Sequence, residues 1–191
     1  MAALPVGYPA QFDVEYTEHR NRLTVLFRLI LVLPVAIVSG LLTASARSMS
    51  FAIVLMLLFR RRYPRVWFEW YLYLGQFTNR VNAYLLLLVD EYPSTTERQR
   101  VTTDAQLDEA ALSRWLPLVK WLLALPHYIV LGLLYLVLGP ALVIAWFIIL
   151  ITGRFPRGLF DFVVGVFRWS WRVNAYVALL GTDRYPPFSL K

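Results

Sequence analysis

The feature of this chain that most restricts its fold is a long apolar stretch without charge. Residues 121–153 contain no Asp, Glu, Lys or Arg, and residues 23–40 contain a single charged residue, Arg28. A run of 18 or more apolar residues is typical of a segment that lies in a lipid bilayer. In water, two such runs on a chain of 191 residues would expose a larger apolar patch than soluble monomers tolerate. The sequence therefore predicts an all-α integral membrane protein.

Composition excludes most catalytic and metal-binding classes. Hydrophobic residues make up 59% of the chain and charged residues 16%, and there are two His and no Cys. Without Cys there is no disulfide framework, no thiolate metal site and no Cys nucleophile. The sequence also lacks a glycine-rich phosphate loop, a His-Glu-x-x-His pair and a Gly-x-Ser-x-Gly turn. We therefore expect no catalytic residues, no metal and no cofactor, and a protein that is not an enzyme; an enzyme that acts on membrane lipid is the weakest alternative.

The chain matches itself when it is shifted by about 92 residues. The motif Arg-Val-Asn-Ala-Tyr occupies residues 80–84 and recurs, identical, at residues 172–176. Apolar membrane segments produce chance matches of Leu, but a shared run of Arg, Asn and Tyr is not explained by composition. Internal repeats of this kind mark one supersecondary unit that occurs twice. We therefore divide the single membrane domain, residues 1–191, into unit one, residues 8–97, and unit two, residues 98–191.

Each unit is predicted to begin with a helical hairpin in the membrane. In unit one a first helix over residues 22–43 is followed by a small polar turn at residues 45–50 and a short second helix. In unit two the turn is predicted at Gly139-Pro140. The second helices are short for a bilayer core of about 30 Å, so the hairpins either span a locally thinned membrane or are re-entrant. In the re-entrant alternative Pro34 and Pro126 begin new helices.

The third segment of each unit is rich in aromatic residues and carries isolated charges. It covers residues 66–88 in unit one and residues 159–180 in unit two. Aromatic bulk with a polar stripe favours an amphipathic helix in the membrane interface. The alternative is a third spanning helix with a costly Arg near its middle. Two polar segments, residues 11–16 and 98–103, are further predicted to pair as a short β-ribbon.

Lys and Arg flank the outer ends of both hairpins, and only Arg47 lies at a hairpin tip. The positive-inside rule then places both termini in the cytoplasm. The predicted location is the bacterial inner membrane, with several passes. The two hairpins would be parallel and related by a pseudo-twofold axis along the membrane normal.

Polar residues of the third segments form the candidate binding site. One interpretation is a pocket at the cytoplasmic face for a lipid headgroup or a partner; the other is that these residues satisfy backbone groups at the hairpin ends. Arg80 and Tyr84 share a helix face, where a cation–π contact is expected. The candidate residues are Glu69, Arg80, Asn82 and Tyr84 in unit one and Asp161, Arg172, Asn174 and Tyr176 in unit two.

Arginines near the hairpin ends form a second candidate set, for lipid headgroups. A Lys or Arg near an anionic membrane surface contributes about 1 kcal/mol to binding. The alternative is that these arginines act only as a topology signal. They are Arg61, Arg62, Arg65, Arg154 and Arg157.

Unit two resembles a known bacterial family of unknown function, numbered 4389. The resemblance is carried by residues 154–162, 168–176 and 182–190, and by Leu-Pro-His-Tyr at residues 125–128. Unit one is similar but departs at Arg61, where the family pattern has Gly. The resemblance implies a small multi-helix membrane protein, often with repeated units. It implies no activity, cofactor or catalytic residue.

These observations favour a non-enzymatic scaffold or accessory subunit that self-associates, or that docks a lipid or partner at the cytoplasmic face. The expected partners are membrane lipids, including anionic ones, and a second copy or another membrane protein; nucleic acid is not expected. The alternative function is a small channel or carrier with a polar pathway between the two units.

Overall fold

The computed structural model describes residues 7–191 as a mainly helical chain with a two-stranded antiparallel sheet. Residues 1–6, for which a cytoplasmic position is predicted, lie outside the described part. In chain order the elements are β1 Ala10–Val14, α1 Arg22–Arg60, α2 Arg65–Leu85, β2 Val101–Ala105, a 3₁₀ turn Glu109–Ala111, α3 Leu116–Leu123, α4 Leu125–Thr152 and α5 Arg157–Val177.

The predicted hairpin of unit one is wrong, because α1 is one continuous helix. Its first turn is capped by the Asn21 side chain, which accepts from the backbone of Leu23 and Thr24. At residues 45–50, where a turn was expected, Ser45 and Ser50 donate to carbonyls four residues earlier. Small polar residues therefore do not break this helix, since their hydroxyls are satisfied inside it.

The predicted hairpin of unit two is also wrong. Pro126 does begin a new helix, as the re-entrant alternative expected, since Ala124 separates α3 from α4. The same expectation for Pro34 is wrong, because Pro34 lies inside α1. Gly139-Pro140, however, lies inside α4, which continues to Thr152 and ends at Gly153 with φ 73°. A proline within a helix removes one hydrogen bond but need not end it when the surrounding residues remain helical.

Two segments, Arg22–Arg60 and Leu116–Thr152, are long and apolar enough to cross a membrane. They run antiparallel and contact each other at both ends. At one end the Trp146 indole donates to the Val25 carbonyl, at 3.2 Å. At the other end the Arg114 guanidinium donates to the carbonyl of Leu58.

The β-ribbon predicted from the polar segments is confirmed. β1 and β2 pair in an antiparallel register that runs from Ala10 opposite Ala105 to Val14 opposite Val101. The ribbon packs on the middles of α2 and α5, where Gln76 donates to the Thr103 carbonyl. A two-stranded ribbon is only marginally stable alone, so these helix contacts support it.

The three parts stack as layers. α2 and α5 lie between the ribbon and the long helices, because each contacts one strand on one side and one long helix on the other. Their inward aromatic residues, such as Phe68, Phe77 and Trp169, are buried. The third segments therefore form the central layer of the protein.

Candidate functional site

The arginines of the repeated motif hold the chain that follows each central helix. Arg80 donates to the carbonyl of Ser94, at 2.6 Å, and Arg172 donates to the carbonyls of Ser189 and Lys191. The Nε atoms of both arginines are buried without a hydrogen-bond partner in the described chain. Burial, reinforced by nearby Arg168, lowers the pKa of Arg172. These two candidates thus bind backbone carbonyls of the chain after each central helix, rather than groups at a hairpin end.

The tyrosines of the motif are buried beneath cations, but these are not the predicted ones. The guanidinium of Arg28 lies 4.3 Å from the ring centre of Tyr84, and the ammonium of Lys120 lies 4.8 Å from that of Tyr176. The expected contact between Arg80 and Tyr84 is therefore replaced. The cation comes from the long helix, because the tyrosine points across the helix interface rather than along its own surface.

Each of these buried cations also pairs with an aspartate. Arg28 Nη2 lies 2.5 Å from Asp90 Oδ1, and Lys120 Nζ lies 2.8 Å from Asp183 Oδ1. The Arg28 and Lys120 side chains are only 2% and 1% exposed. Backbone carbonyls also accept from them, at Tyr84 and Val89 for Arg28 and at Thr182 for Lys120, whereas Arg28 Nε is buried without an acceptor among the described residues. A buried cation needs this set of partners to offset its lost hydration.

Sequence reasoning missed these ion pairs, although a signal was present. Arg28 and Lys120 are separated by 92 residues, the period of the repeat. Asp90 and Asp183 each stand two residues before a Tyr-Pro dipeptide. The repeat therefore contains a cation, an aspartate and a tyrosine that meet in each unit.

The acidic candidates lie on the surface, away from the motif arginines. Glu69 pairs with Arg65 at 3.1 Å, and Asp161 pairs with Arg157 at 3.3 Å, in both cases four residues apart on one helix. All four side chains are more than half exposed. They therefore do not join Arg80 or Arg172 in a polar pocket.

The remaining headgroup candidates are also at the surface. Arg61, in the left-handed conformation with φ 52°, ends α1, and Arg62 follows it, exposed. Arg154 is paired with Glu18 at 3.2 Å and is 61% exposed. These cations are accessible, as lipid binding requires.

The two motif asparagines meet in one cavity of about 230 Å³. Four helices form its wall. α1 contributes Thr43, α4 contributes Tyr135, α2 contributes Thr78 and Asn82, and α5 contributes Ser170 and Asn174. The lining contains no Asp, Glu, Lys, Arg or His. Sequence reasoning therefore identified two residues of a site whose other walls only the packing of the helices provides.

Most polar groups of this cavity satisfy one another, but the asparagines do not. The hydroxyls of Tyr135 and Ser170 lie 2.9 Å apart, and those of Tyr71 and Ser50 lie 3.1 Å apart. Asn82 is half-buried and Asn174 is exposed, and within residues 7–191 no hydrogen bond involves the side-chain amide of either. Each amide offers two donors and one acceptor oxygen. The cavity therefore presents unpaired but uncharged hydrogen-bonding groups.

Metal binding finds no support among the described residues, which contain no group of three His, Asp or Glu that could hold an ion. His127 is fully buried and stacks on Phe188, with ring centres 4.0 Å apart. Its Nδ1 accepts a hydrogen bond from the Trp169 indole at 3.0 Å. This histidine is thus packed in an aromatic cage.

Comparison with known proteins gives one family. The model of the domain of unknown function DUF4389 matches residues 22–96 and again residues 115–189, more than half of the chain. The chain belongs to this family. The two DUF4389 matches confirm the tandem repeat and coincide with the long helix and central helix of each unit. No curated protein and no solved structure matches the chain.

Proposed function

We propose that this protein is a non-enzymatic scaffold or accessory subunit that lies in the cytoplasmic leaflet of the membrane without crossing it. Its long helices rest in the plane of the bilayer, and the ribbon side faces the cytoplasm, where it docks a partner. The observation that carries this proposal is the position of the ribbon. The ribbon lies level with the middle of the long helices, on the far side of α2 and α5.

The outer surface of the long helices is apolar. Leu29, Leu41, Leu136 and Ile151 are each about 70% exposed, and similar residues lie between them. Such a continuous patch is typical of a membrane-binding surface. The helices are apolar all round because one side packs on α2 and α5 and the other is available to acyl chains.

The position of the ribbon supports an in-plane rather than an upright orientation of these helices. Thr78 on α2 lies beside Ser39 near the middle of α1, and the neighbouring Asn79 donates to Thr103 in the ribbon. If α1 crossed the bilayer, the ribbon would lie near the bilayer midplane. Exposed Asp13 and its ion-pair partner Arg168 would then face hydrocarbon, which is a costly position for charged side chains.

Helix length and charge favour the same orientation. Residues 29–59 rise about 46 Å as a helix, well beyond a core of about 30 Å. Because α1 is continuous, its arginines no longer gather on one side: Arg22 lies at one end and Arg60, Arg61 and Arg62 at the other. Cations at both ends suit a helix that lies among anionic headgroups.

Cysteine labelling tests this placement, because the chain has no Cys of its own. Ser113→Cys and Thr152→Cys each place one thiol near opposite ends of the segment that α3 and α4 form together. Both positions are exposed. We expect an impermeant maleimide to label neither residue in intact cells and both after the cells are permeabilised. Thr95→Cys, in the loop before the ribbon strand β2, serves as a control that is also labelled only after permeabilisation.

A spanning arrangement gives a different result. One of the two end positions would then be labelled from outside the intact cell and the other would not. That outcome would contradict the in-plane orientation. It would favour the alternative function, a channel or carrier with a pathway between the units. Flux through protein-containing vesicles would then be the next measurement.

A further inference from the structure

We infer that the cavity between the two units binds the uncharged glycerol-ester region of a neutral lipid such as a diacylglycerol. This inference rests on the proposed placement of the long helices in the membrane, and it deepens that proposal by naming a ligand class. The argument uses the walls of the cavity, its position and its unpaired asparagines.

The walls select against charged ligands. A phosphate group bound in this cavity would find no Lys or Arg in the lining, and a cation would find no carboxylate. Taking an ion from water into such surroundings costs far more than uncharged hydrogen-bond donors return. An ester, hydroxyl or amide has no such cost.

The asparagines select for a polar ligand over a purely apolar one. Asn82 and Asn174 come from the same position of the two units and reach the same cavity. Their amides supply both donors and acceptors, which match ester carbonyls and a free hydroxyl. A ligand with such groups gains hydrogen bonds to these amides, most of all at half-buried Asn82, that a purely apolar ligand cannot make.

The position of the cavity selects for a lipid over a water-soluble molecule. The lining given by the described chain comes from α1, α2, α4 and α5 and includes no ribbon residue. The cavity therefore lies on the side of the central helices that faces the long helices. Next to it, Leu133 and Leu136 of α4 are exposed, as the acyl chains of a bound lipid would require.

The size of the cavity fits part of a lipid. Its volume of about 230 Å³ lies below the range of about 300–1,000 Å³ that encloses a whole drug-sized ligand. The cavity would therefore hold the head region while the tails extend along the apolar surface of the long helices.

Photo-crosslinking tests the inference on the full chain in vesicles of phosphatidylcholine and phosphatidylglycerol. The probe is a diacylglycerol with a diazirine close to one ester, and the matched probe is a phosphatidylglycerol with the same acyl chain. Adducts are mapped by peptide mass spectrometry. We expect the diacylglycerol probe to label the cavity peptides several-fold more strongly than the phosphatidylglycerol probe.

The double variant Asn82→Leu with Asn174→Leu should lower diacylglycerol labelling about tenfold, since two hydrogen bonds are lost. Gln11→Leu, on the ribbon, is the matched polar-to-Leu control and should leave labelling unchanged. If the double variant does not fold, Asn174→Leu alone, at an exposed position, removes one of the two amides and should lower labelling several-fold.

Two measurements distinguish failure of the lipid-binding inference from failure of the membrane placement on which it rests. Co-flotation with vesicles tests membrane binding, whereas the same labelling in detergent micelles tests the cavity without a bilayer. Equal labelling by the two probes, or labelling in micelles that persists in a folded asparagine variant, would overturn the cavity proposal whatever the flotation shows. Loss of flotation alone would count against the placement.

Discussion

Single side chains of this protein contribute most where a charge is buried. Lys120 and Arg28 each lie beneath a tyrosine and beside an aspartate, deep in the contact between a long helix and the chain after a central helix. Such pairs contribute little when complete, but they are costly when one partner is removed. In each unit, therefore, one cation on the long helix holds in place the chain segment that follows the central helix.

Removal of one carboxylate tests this role. We expect Asp183→Asn to lower the free energy of unfolding by about 3 kcal/mol, because Lys120 stays buried without its counter-charge. Lys120→Met should cost less, because Asp183 is 15% exposed and regains water. Glu69→Gln, which breaks an exposed pair, should cost at most about 1 kcal/mol. Denaturant unfolding in micelles, followed by circular dichroism, measures all three.

A second residue effect arises where α2 and α5 meet. A Cβ atom at Gly75 would overlap the indole ring of Trp171, whereas a Cβ at Gly132 on α4 would meet nothing within 4 Å. Gly75→Ala should therefore destabilise the protein by about 1–3 kcal/mol. Gly132→Ala should stabilise it by up to about 1 kcal/mol, since Ala favours helix. Effects of the same sign in thermal melts would contradict this packing.

At the scale of elements, the continuity of α1 decides the architecture. A hairpin would bring both of its ends to one side, whereas a single helix separates them and requires a partner of similar length. That partner is the antiparallel α3 and α4 segment of the other unit. The two units therefore depend on each other, because the long helix of each contacts the long helix of the other at both ends.

A distance measurement tests this element directly. Spin labels on Leu23→Cys and Phe59→Cys, both exposed positions on α1, should give a pulsed electron resonance distance of about 54 Å between backbone positions. In a hairpin the same labels would lie on neighbouring helices about 10 Å apart. A short distance would restore the hairpin and remove the argument for the in-plane orientation.

At the scale of the whole molecule, charge and apolar surface lie on the same side. The long helices carry the exposed apolar side chains, and their ends carry the accessible arginines. The ribbon, on the opposite side of α2 and α5, presents carboxylates such as Asp13 and Glu15. The exposed arginines at the ends of the long helices therefore suit an anionic membrane surface.

Vesicle partitioning tests this distribution. Arg61→Asn with Arg62→Gln should weaken binding to phosphatidylglycerol-containing vesicles about 30-fold, from about 1 kcal/mol per arginine. Asn is chosen at position 61 because it tolerates the left-handed backbone found there. Arg98→Gln with Arg100→Gln, near the ribbon, should change binding little. An equal loss in both double variants would contradict the proposed membrane face.

The sequence by itself determined the repeat, the apolar character of the long helices, the central helices and the ribbon. These follow from local patterns: residue identity at a fixed spacing, hydropathy, and the alternation of a strand. It failed at residues 45–50 and at Gly139-Pro140, where turn-forming residues lie inside helices. There the hydroxyls of Ser45 and Ser50 bond within the helix, and exposed Pro140 remains inside a continuous α4, neither of which can be read from residue type.

Only the tertiary structure decided which polar residues act together. Glu69 and Arg80 were placed in one candidate site, yet Glu69 pairs with Arg65 and Arg80 donates to the Ser94 carbonyl. Asn82 and Asn174 are far apart in the chain and meet because two central helices pack side by side. Local sequence pattern therefore determined the secondary structure and hydropathy of each segment. The contacts between distant segments determined which partners its polar groups bind.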